Sequence, residues 1–386
     1  MTAARPLSGI RVVEMGGIGP APFAAMLLAD MGADVVRIDR PVVADLGIAM
    51  PPRFDLYNRS KRSVAIDLKA PAGVDTVLKL IERADILIEG FRPGVMEKLG
   101  LGPDVCHAAN ARLVYGRMTG WGQTGAISAT AGHDLNYIAL TGALHAIGAA
   151  GKPAVPLNLI GDLGGGALYL VIGVLAALAR AQTTGQGDVV DAAMVDGVSS
   201  MMAMFYSLSQ QGAWQAQRES NLLDGGAPFY GVYETKDGKH VSVGAIEGRF
   251  YRELVTLMGL DPQALPPQND PRHWASTRLQ FADVFRTRTR DEWTAIMDGS
   301  DACFSPVLDM NEWQRHPLAT ERGLFRTLGD VTHPAPAPRF VGTPDWTVGE
   351  PPAPGRDNDA ALADWGMSPE DIARLKADGI VVDIAA

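Results

Sequence analysis

The stretch IRVVEMGGIGPAPFAAMLLADMGADVVRID, residues 10–39, decides the fold of this chain. A β-branched run, a turn rich in glycine and proline, an apolar segment with helical spacing and a second β-branched run follow one another in it. This order predicts a strand, a helix and a second strand. Such a βαβ unit implies a parallel sheet with right-handed crossovers.

The same alternation continues along the first half of the chain. Strands are predicted over residues 63–68, 85–90 and 112–118, a helix over 72–83, and a further strand leading into a helix over 185–197. The apolar run at 167–179 is too short for a membrane span and predicts a buried helix. The predicted fold class is α/β, with a large Rossmann-like parallel sheet.

The character of the sequence changes after Gln210. Asp237-Gly238 between two alternating runs predicts a β-hairpin that opens a smaller central α/β domain. Proline-rich residues 332–340 are predicted to be extended, and residues 368–379 carry the start and stop signals of a helix. The predicted segments are a large domain at 1–211, a linker at 212–228, a small domain at 229–318, and residues 319–386, which begin with a return linker.

Composition excludes several classes of protein. The 386 residues are 47% hydrophobic and 20% charged, which is typical of a globular protein, and the net charge of −10 argues against non-specific nucleic-acid binding. Only Cys106 and Cys303 are present, without neighbouring metal ligands, so neither a disulfide framework nor a zinc site is indicated. We expect a soluble cytoplasmic protein that binds no nucleic acid, no membrane and no metal.

Two titratable residues are predicted at separate helix starts: His133 in AGHDLNYIAL and Asp162 in PLNLIGDLGGGA. A base beside unpaired helical N–H groups suits proton abstraction next to a carbonyl, and two bases allow the proton to leave one face and return on the other. The glycines after Asp162 would allow backbone to approach a ligand. Tyr137, four residues after His133, shares its helix face. The simpler alternatives are a structural histidine and an aspartate that only caps a helix.

A second pattern concerns phosphate. GGIGPAP after the first strand, with Asp39 further on, is similar to a dinucleotide-binding turn, but Pro20 and Pro22 stand where its later glycine should fall. This disfavours a nicotinamide dehydrogenase. Basic residues near the predicted strand ends nevertheless suggest a phosphate-bearing ligand. They are Arg40, Arg59, Lys61, Arg62, Lys69, Arg92 and Lys98.

Long segments of the chain resemble the family III CoA-transferases, the CaiB/BaiF-like superfamily, and within it the racemase branch. The segments include residues 7–41, NRSKRSVAIDLK at 58–69, ADILIEGFRPGVMEKLGLG at 84–102, RMTGWGQTG at 117–125, GHDLNYIALTG at 132–142, GDLGGG at 161–166, GQGDVVDAAMVDG at 185–197, LLDGGAPFYGVYET at 222–235, VGAIE at 243–247 and DACFSPVL at 301–308. The resemblance implies a large domain built from both termini, a small central domain and an interlocked homodimer.

The resemblance also implies roles for individual residues. His133 and Asp162 match the two catalytic bases, and Glu247 matches a carboxylate that pairs with the histidine across the subunit boundary. The implied reaction is racemisation at C2 of a 2-methylacyl-CoA thioester through an enolate, with no cofactor, since CoA is part of the substrate. The residues expected to contact CoA are Arg40, Ile66, Asp67, Leu68, Lys69, Gly90, Phe91, Arg92, Lys98, Gly132, Asp134 and Tyr137.

The alternative is a CoA transferase of the same family, in which Asp162 would be the nucleophile that accepts the acyl group. His133 separates the two, because transferases of the family tend to carry a non-basic residue before the position of Asp134. DGGAP at 224–228 also stands where a longer glycine loop would support transfer. A CoA-binding protein without activity is disfavoured by the two candidate bases. Racemisation needs a raised pKa at Asp162, which burial would supply.

Overall fold

A computed structural model describes residues 4–42, 48, 50–343 and 345–384. The chain divides into two compact units. The first comprises Met1–Thr141, Leu157–Met201 and Gly323–Ala386, and the second comprises Gly142–Pro156 and Met202–Arg322. The first unit therefore combines sequence from both ends of the chain, which confirms the prediction for the large domain.

The strands are short. In the described residues they are β1 (Arg11–Met15), β2 (Asp34–Asp39), β3 (Arg62–Ala65), β4 (Ile86–Glu89), β5 (Val114–Thr119), β6 (Gly148–Ala149), β7 (Lys152–Pro153), β8 (Asp188–Ala193), β9 (Tyr230–Glu234), β10 (His240–Gly244), β11 (Phe304–Pro306), β12 (Phe325–Leu328) and β13 (Val331–Pro334).

The helices alternate with the strands in the first half of the chain. The α helices are α1 (Pro20–Asp30), α2 (Pro71–Ile81), α3 (Val95–Lys98), α4 (Pro103–Ala109), α5 (Asp134–Leu140), α6 (Ala143–Ala146), α7 (Leu168–Thr184), α8 (Met194–Met201), α9 (Ala203–Gln210), α10 (Gly248–Leu257), α11 (Trp274–Phe285), α12 (Arg290–Met297), α13 (Met310–Arg315), α14 (Pro317–Glu321), α15 (Asn358–Asp364) and α16 (Pro369–Ala377). A π-helical segment, Leu159–Ala167, precedes α7.

A six-stranded parallel sheet forms the centre of the first unit. Its strand order is β3-β2-β1-β4-β5-β8, and every neighbouring pair is parallel. Val13 of β1 lies opposite Val36 on one side and Leu87 on the other. The predicted Rossmann-like parallel sheet is confirmed.

Both faces of this sheet are covered, because alternate residues of each strand point to opposite faces. On one face Val13, Val36 and Leu87 belong to a buried cluster that includes residues of α2, α15 and α16. On the other face Val12 and Val35 belong to a cluster with residues of α1 and α7. The carboxyl-terminal part of the chain therefore contributes two helices to one of the two layers on the sheet.

The glycine run at 164–166 lies inside the π-helical segment and not in a ligand loop, so the prediction for it was wrong. A Cβ on Gly165 would lie 2.6 Å from Cγ2 of Val198 and 2.7 Å from its backbone nitrogen, and a Cβ on Gly197 would overlap the carbonyl oxygen of Gly165. These glycines therefore allow the π-helical segment and α8 to pack backbone against backbone.

The apolar helix after this run is also longer than predicted. The helical segment Leu159–Thr184 has 26 residues and is long and apolar enough to span a membrane by length and composition, so the argument from shortness was wrong. Leu170, Val174 and Leu178 are buried in the sheet core of the first unit. Less than half of its most apolar stretch is buried in this chain.

Two further differences concern strand ends. The strand predicted over 63–68 ends at Ala65, and Ile66 forms only an isolated bridge to Val381. The start of the proline-rich stretch is a paired strand, since β13 pairs with β12 in an antiparallel hairpin. The terminal helix agrees with prediction: the Ser368 hydroxyl accepts the N–H of Asp371 at its first turn.

The second unit contains the predicted hairpin. β9 and β10 are antiparallel with His240 opposite Glu234, and Gly238 in the turn has φ of +72°. β11 completes a three-stranded sheet. Residues 212–228 lie in this unit, as do residues 142–156, and the predicted domain limits stay predictions. Aromatic side chains dominate the core of the unit: Phe229, Tyr233, Tyr251, Phe281, Phe285 and Trp293.

The packing of α8 on the π-helical segment yields a stability prediction. Gly197→Ala should lower the unfolding free energy of the first unit by about 2 kcal/mol or more, because the added methyl meets backbone that cannot rotate away. Gly342→Ala is the matched control, since a Cβ there meets nothing within 4 Å. Calorimetric melting temperatures of the two variants give the measurement. Equal melting temperatures would contradict the packing described.

Candidate active site

A cavity of about 290 Å³ opens at the carboxyl ends of the parallel strands in the first unit. Residues 18–21 after β1, residues 90–93 after β4 and residues 118–121 at the end of β5 line it. The order of the strands along the chain reverses between β1 and β4. Ligands of open α/β sheets bind at such a reversal, where loops run in opposite directions and leave a crevice. We call this the first cavity.

His133 lines the first cavity from the start of α5. It occupies the N-cap position, as predicted, with φ and ψ of −133° and 171°. The side chain of Asn136 accepts the backbone N–H of His133 at 3.0 Å. The residue itself is exposed. Its backbone is therefore held by the helix start while the imidazole is accessible from the cavity.

Asp162 lines the same cavity, so the structure brings the two candidate bases together. As predicted, it lies at a helix start, in the first turn of the π-helical segment after Asn158 and Leu159. The side-chain amide of Asn158 donates to Asp162 Oδ2 at 3.2 Å. A Cβ on Gly19, in the turn after β1, would lie 3.5 Å from the same oxygen.

A buried carboxylate joins the two bases. Asp134 Oδ2 accepts the backbone N–H of Asp162 at 2.7 Å, and Asp134 is the first residue of α5, directly after His133. Asp134 is 5% exposed. It was predicted to contact CoA, but it does not line this cavity and instead holds the backbone of Asp162.

Burial raises the pKa of Asp162 above its ordinary value, and the charge of Asp134 raises it further. The hydrogen bond from Asn158 and the neighbouring His133 lower it, but burial prevails. A raised pKa was expected for an aspartate that must donate a proton near neutrality. The direction of the shift confirms that expectation.

Tyr137 forms one wall of the cavity between two glycines. Its hydroxyl donates to the carbonyl oxygen of Gly132, and its ring meets Trp121 edge-on with centroids 4.7 Å apart. A Cβ on Gly120 would overlap this ring. Burial raises the pKa of the Tyr137 phenol to about 12, so it stays protonated and can donate a hydrogen bond.

A second cavity of about 610 Å³ lies at the carboxyl ends of β1, β2 and β4 in the same unit. Gly90 and Phe91 line both cavities. Arg37 and Arg40 contribute positive charge to the second, and the Arg40 guanidinium lies 5.9 Å from the centre of the Phe91 ring. Arg37, however, is paired with Asp39 at 2.9 Å. The two cavities therefore share a wall, with the candidate bases in one and the Arg40 guanidinium in the other.

The residues predicted to contact CoA fall into two groups. Arg40, Gly90, Phe91, Arg92, Gly132 and Tyr137 line one or both cavities. The others do not: Ile66, Asp67, Leu68, Lys69, Lys98 and Asp134. Ile66 is buried in the core, and Lys69 and Lys98 are exposed elsewhere on the unit. The role of all twelve in CoA binding stays a prediction.

Three of the basic residues assigned to phosphate are engaged in ion pairs instead. Arg59 pairs with buried Asp30 at 2.6 Å, and Arg62 pairs with Asp34 at 2.6 Å. Lys61 is fully buried beside Glu14, also at 2.6 Å. Burial without a partner is very costly for a charged group, so these cations stabilise the fold and are not free to bind phosphate.

Glu247 is exposed and lies at the N-cap of α10 in the second unit, whereas His133 and Asp162 belong to the first. Its predicted pairing with His133 stays a prediction. Two residues that interact with Asp162, Asn158 and Tyr57, were not predicted from the sequence. Asn158 could have been recognised by its helical spacing of four from Asp162. Tyr57 has a pKa raised by burial and by the charge of Asp162, and no local sequence pattern indicated its place in the site.

In the described part of the chain no cluster of three or more metal-ligating side chains occurs.

The chain is similar to known proteins over nearly its whole length. The sequence model of CoA-transferase family III matches residues 7–358. Alpha-methylacyl-CoA racemase of Homo sapiens is 43% identical over 380 residues, which are 97% of each chain. The succinyl-CoA–D-citramalate CoA-transferase of Chloroflexus aurantiacus is 30% identical over 405 residues, covering 98% of each. The crystal structure of a CAIB/BAIF family protein from Brucella suis has the same fold, with a TM-score of 0.81 and 24% identity over 94% of this chain and all of that one.

The raised pKa of Asp162 predicts how Asp162→Asn changes stability with pH. A folded pKa above the unfolded value of 3.8 adds stability below that value, and this stability is lost as the pH rises through the folded pKa. The melting temperature of Asp162→Asn relative to the unmodified protein should therefore increase between pH 3 and pH 8.

Asp237→Asn is the control, because the Thr235 hydroxyl lowers the pKa of Asp237. The relative melting temperature of this variant should fall over the same range. A relative melting temperature of Asp162→Asn that is constant, or falls with pH, would contradict a raised pKa.

Proposed function

Because the chain belongs to CoA-transferase family III, we propose that it is an α-methylacyl-CoA racemase that inverts C2 of 2-methylacyl-CoA thioesters. The observation that carries the proposal is that His133 and Asp162 line one cavity at the switch point of the sheet. Identity of 43% to the human racemase over nearly the whole chain supports it.

The proposed chemistry is a proton transfer between two bases. One base removes the C2 proton, the electron pair of the C–H bond moves into a planar enolate, and the other base delivers its proton to the opposite face of C2. The first base ends protonated and the second deprotonated, so the reverse reaction begins from the other protonation state. No electron is transferred, and the mechanism requires no cofactor besides the CoA ester itself.

The environment of Asp162 suits this exchange. An ordinary aspartate is almost fully ionised at neutral pH, and only a raised pKa gives it a protonated fraction that can donate. Burial and Asp134 provide that shift. In one direction Asp162 donates and neutral His133 accepts; in the other, the imidazolium donates and the carboxylate accepts.

The CoA part of the substrate is assigned to the second cavity. Its phosphates would face Arg40, and the thioester would pass Gly90 and Phe91 into the first cavity. Guanidinium groups bind phosphate through paired, charge-assisted hydrogen bonds. Arg92 lies at the junction, lining the first cavity between Phe91 and Pro93.

The second candidate is a CoA transferase, supported by the 30% identity to the Chloroflexus enzyme. In that chemistry the Asp162 carboxylate attacks the thioester, CoA thiolate leaves, and a mixed anhydride forms. A depressed pKa would favour a nucleophile that must be ionised, whereas the pKa of Asp162 is raised. Capture of an acyl-enzyme by hydroxylamine is expected of the transferase and not of the racemase.

We further propose that the chain acts as a homodimer. Large apolar side chains are exposed on the contacting helical elements of the first unit, α5, the π-helical segment and α7. They are Leu135, Leu140, Leu159, Leu168 and Ile172. Such a surface is typical of a protein interface. In the dimer, Glu247 of the partner subunit would pair with His133, fix the ring and favour its protonated form.

The reaction is assigned to the cytoplasm, since both cysteines are free thiols.

Variants of the two bases test the proposed chemistry. His133→Gln and Asp162→Asn should each lower the racemisation rate by about a thousandfold, the usual contribution of a positioned acid or base. The dissociation constant of the substrate should change little, because neither residue lines the second cavity, to which the CoA part is assigned. Asp196→Asn, on α8 away from the cavity lining, is the control. Retention of near-normal turnover in either variant would contradict the two-base assignment.

Hybrids of two site variants test both the dimer and the pairing of Glu247 with His133. Hybrids of His133→Gln and Glu247→Gln chains contain one site with both changes and one unmodified site if the site combines two subunits. Co-expressed, differently tagged chains purified as hybrids should therefore recover up to half the normal activity. Activity no higher than the mean of the two parents would place each site within one chain, and monomers in sedimentation would exclude the dimer.

A further inference from the structure

Arg117 of β5 is a buried cation that no step of the proposed reaction uses. Its side chain is 7% exposed and lies between two carboxylates. Nε donates to Glu89 Oε1 at 2.9 Å, while Nη1 and Nη2 donate to the two oxygens of Glu97 at 2.8 and 3.3 Å. Its guanidinium also lies 5.6 Å from the centre of the Tyr115 ring. All its charged partners therefore come from two glutamates.

The two glutamates stand on either side of one loop. Glu89 is the last residue of β4, and Glu97 lies in α3, so the loop between them is residues 90–94. Glu89 is fully buried, and its second oxygen, Oε2, accepts the backbone N–H of Phe91 at 2.7 Å. Gly94 closes the loop with φ of +82°, a conformation that other residues rarely adopt. One guanidinium thus fixes both ends of the loop.

This loop is the wall shared by the two cavities. Gly90 and Phe91 line both, and Arg92 and Pro93 line the first. Gly90 has little freedom on its other side, since a Cβ there would lie 3.1 Å from Cβ of Ala21. A displacement of the loop would therefore move Phe91 and Arg92 together relative to the floor of both cavities.

We propose that Arg117, with Glu89 and Glu97, is a positioning residue that holds the loop at 90–94 in the geometry that binds the CoA part of the substrate. The inference rests on the proposed function for the identity of the ligand. It assigns to Arg117 an effect on binding and not on proton transfer, because Asp162 is held separately by Asp134 and His133 by Asn136. A guanidinium suits the task, since it can reach two carboxylates in one plane.

The carboxylate form of Glu89 is the form that fits. Both of its oxygens face N–H donors, so a proton on either oxygen would point at a donor. Burial raises the pKa of Glu89 to about 7, against the opposing effect of Arg117, while Glu97 is the nearby like charge. The groups that face it are Arg117 and Tyr115 of β5, Glu97 of α3 and the Phe91 N–H. The loop should therefore loosen as the pH falls below about 7.

The test measures binding and catalysis separately in the full-length protein. In Glu97→Gln and Arg117→Lys, the dissociation constant of CoA by calorimetry and KM for a 2-methylacyl-CoA should both rise about five- to tenfold, as expected for loss of charge-assisted hydrogen bonds. The kcat should stay within twofold. Glu82→Gln, an exposed glutamate at the end of α2, is the matched control and should change neither quantity.

A pH profile separates positioning from general stability. KM of the unmodified protein should rise as the pH falls from 8 to 6, and this dependence should be weaker in Glu89→Gln, whose side chain does not titrate. If Arg117→Lys does not fold, Glu97→Gln still tests the proposal, because it removes only a half-exposed carboxylate. Binding and KM within twofold of normal in Glu97→Gln, or a fall in kcat alone, would overturn the proposal. If the unmodified protein binds CoA but does not racemise, the function is wrong and the CoA dissociation constants still test the loop.

Discussion

The hydrogen bond from the Asp162 backbone N–H to Asp134 Oδ2 is the constraint on which the candidate site depends. It joins the start of α5, which carries His133, to the π-helical segment, which carries Asp162. Gly161 makes the approach possible, because a Cβ there would lie 2.6 Å from the accepting oxygen. The same buried carboxylate raises the pKa of Asp162. One side chain therefore sets both the position and the proton affinity of a base.

The sequence predicts the central sheet well because burial on both faces requires apolar runs that are visible in one dimension. Residues 10–39 form β1, α1 and β2 as predicted, and His133 caps α5 as predicted. The glycine run at 164–166 was misinterpreted because its function depends on α8, about thirty residues later. A close contact between two helix backbones is a tertiary feature, and the local pattern of a glycine run is the same in a ligand loop.

Ion pairs also depend on tertiary contacts and could not be predicted from the sequence. Arg40 and Arg92 follow the ends of β2 and β4 as predicted, but a sequence does not state which cations have partners. Lys61 and Glu14 lie 47 positions apart in the chain, and their pairing follows only from the packing of residues 58–61 beneath β1. Arg40 remains as a cation on the second cavity and Arg92 as one on the first. Ionic partners, unlike apolar strands, have no period along the chain that would reveal them.

The central claim is that His133 and Asp162 exchange a proton across one carbon. The direct measurement incubates a single enantiomer of a 2-methylacyl-CoA with the protein in D₂O and follows configuration and isotope at C2 together. The account predicts that the inverted product carries deuterium from the first turnover, because the proton removed by one base is not the one returned by the other. Inverted product that retains the original hydrogen, or retention of configuration with transfer of the acyl group to an added acid, would contradict it.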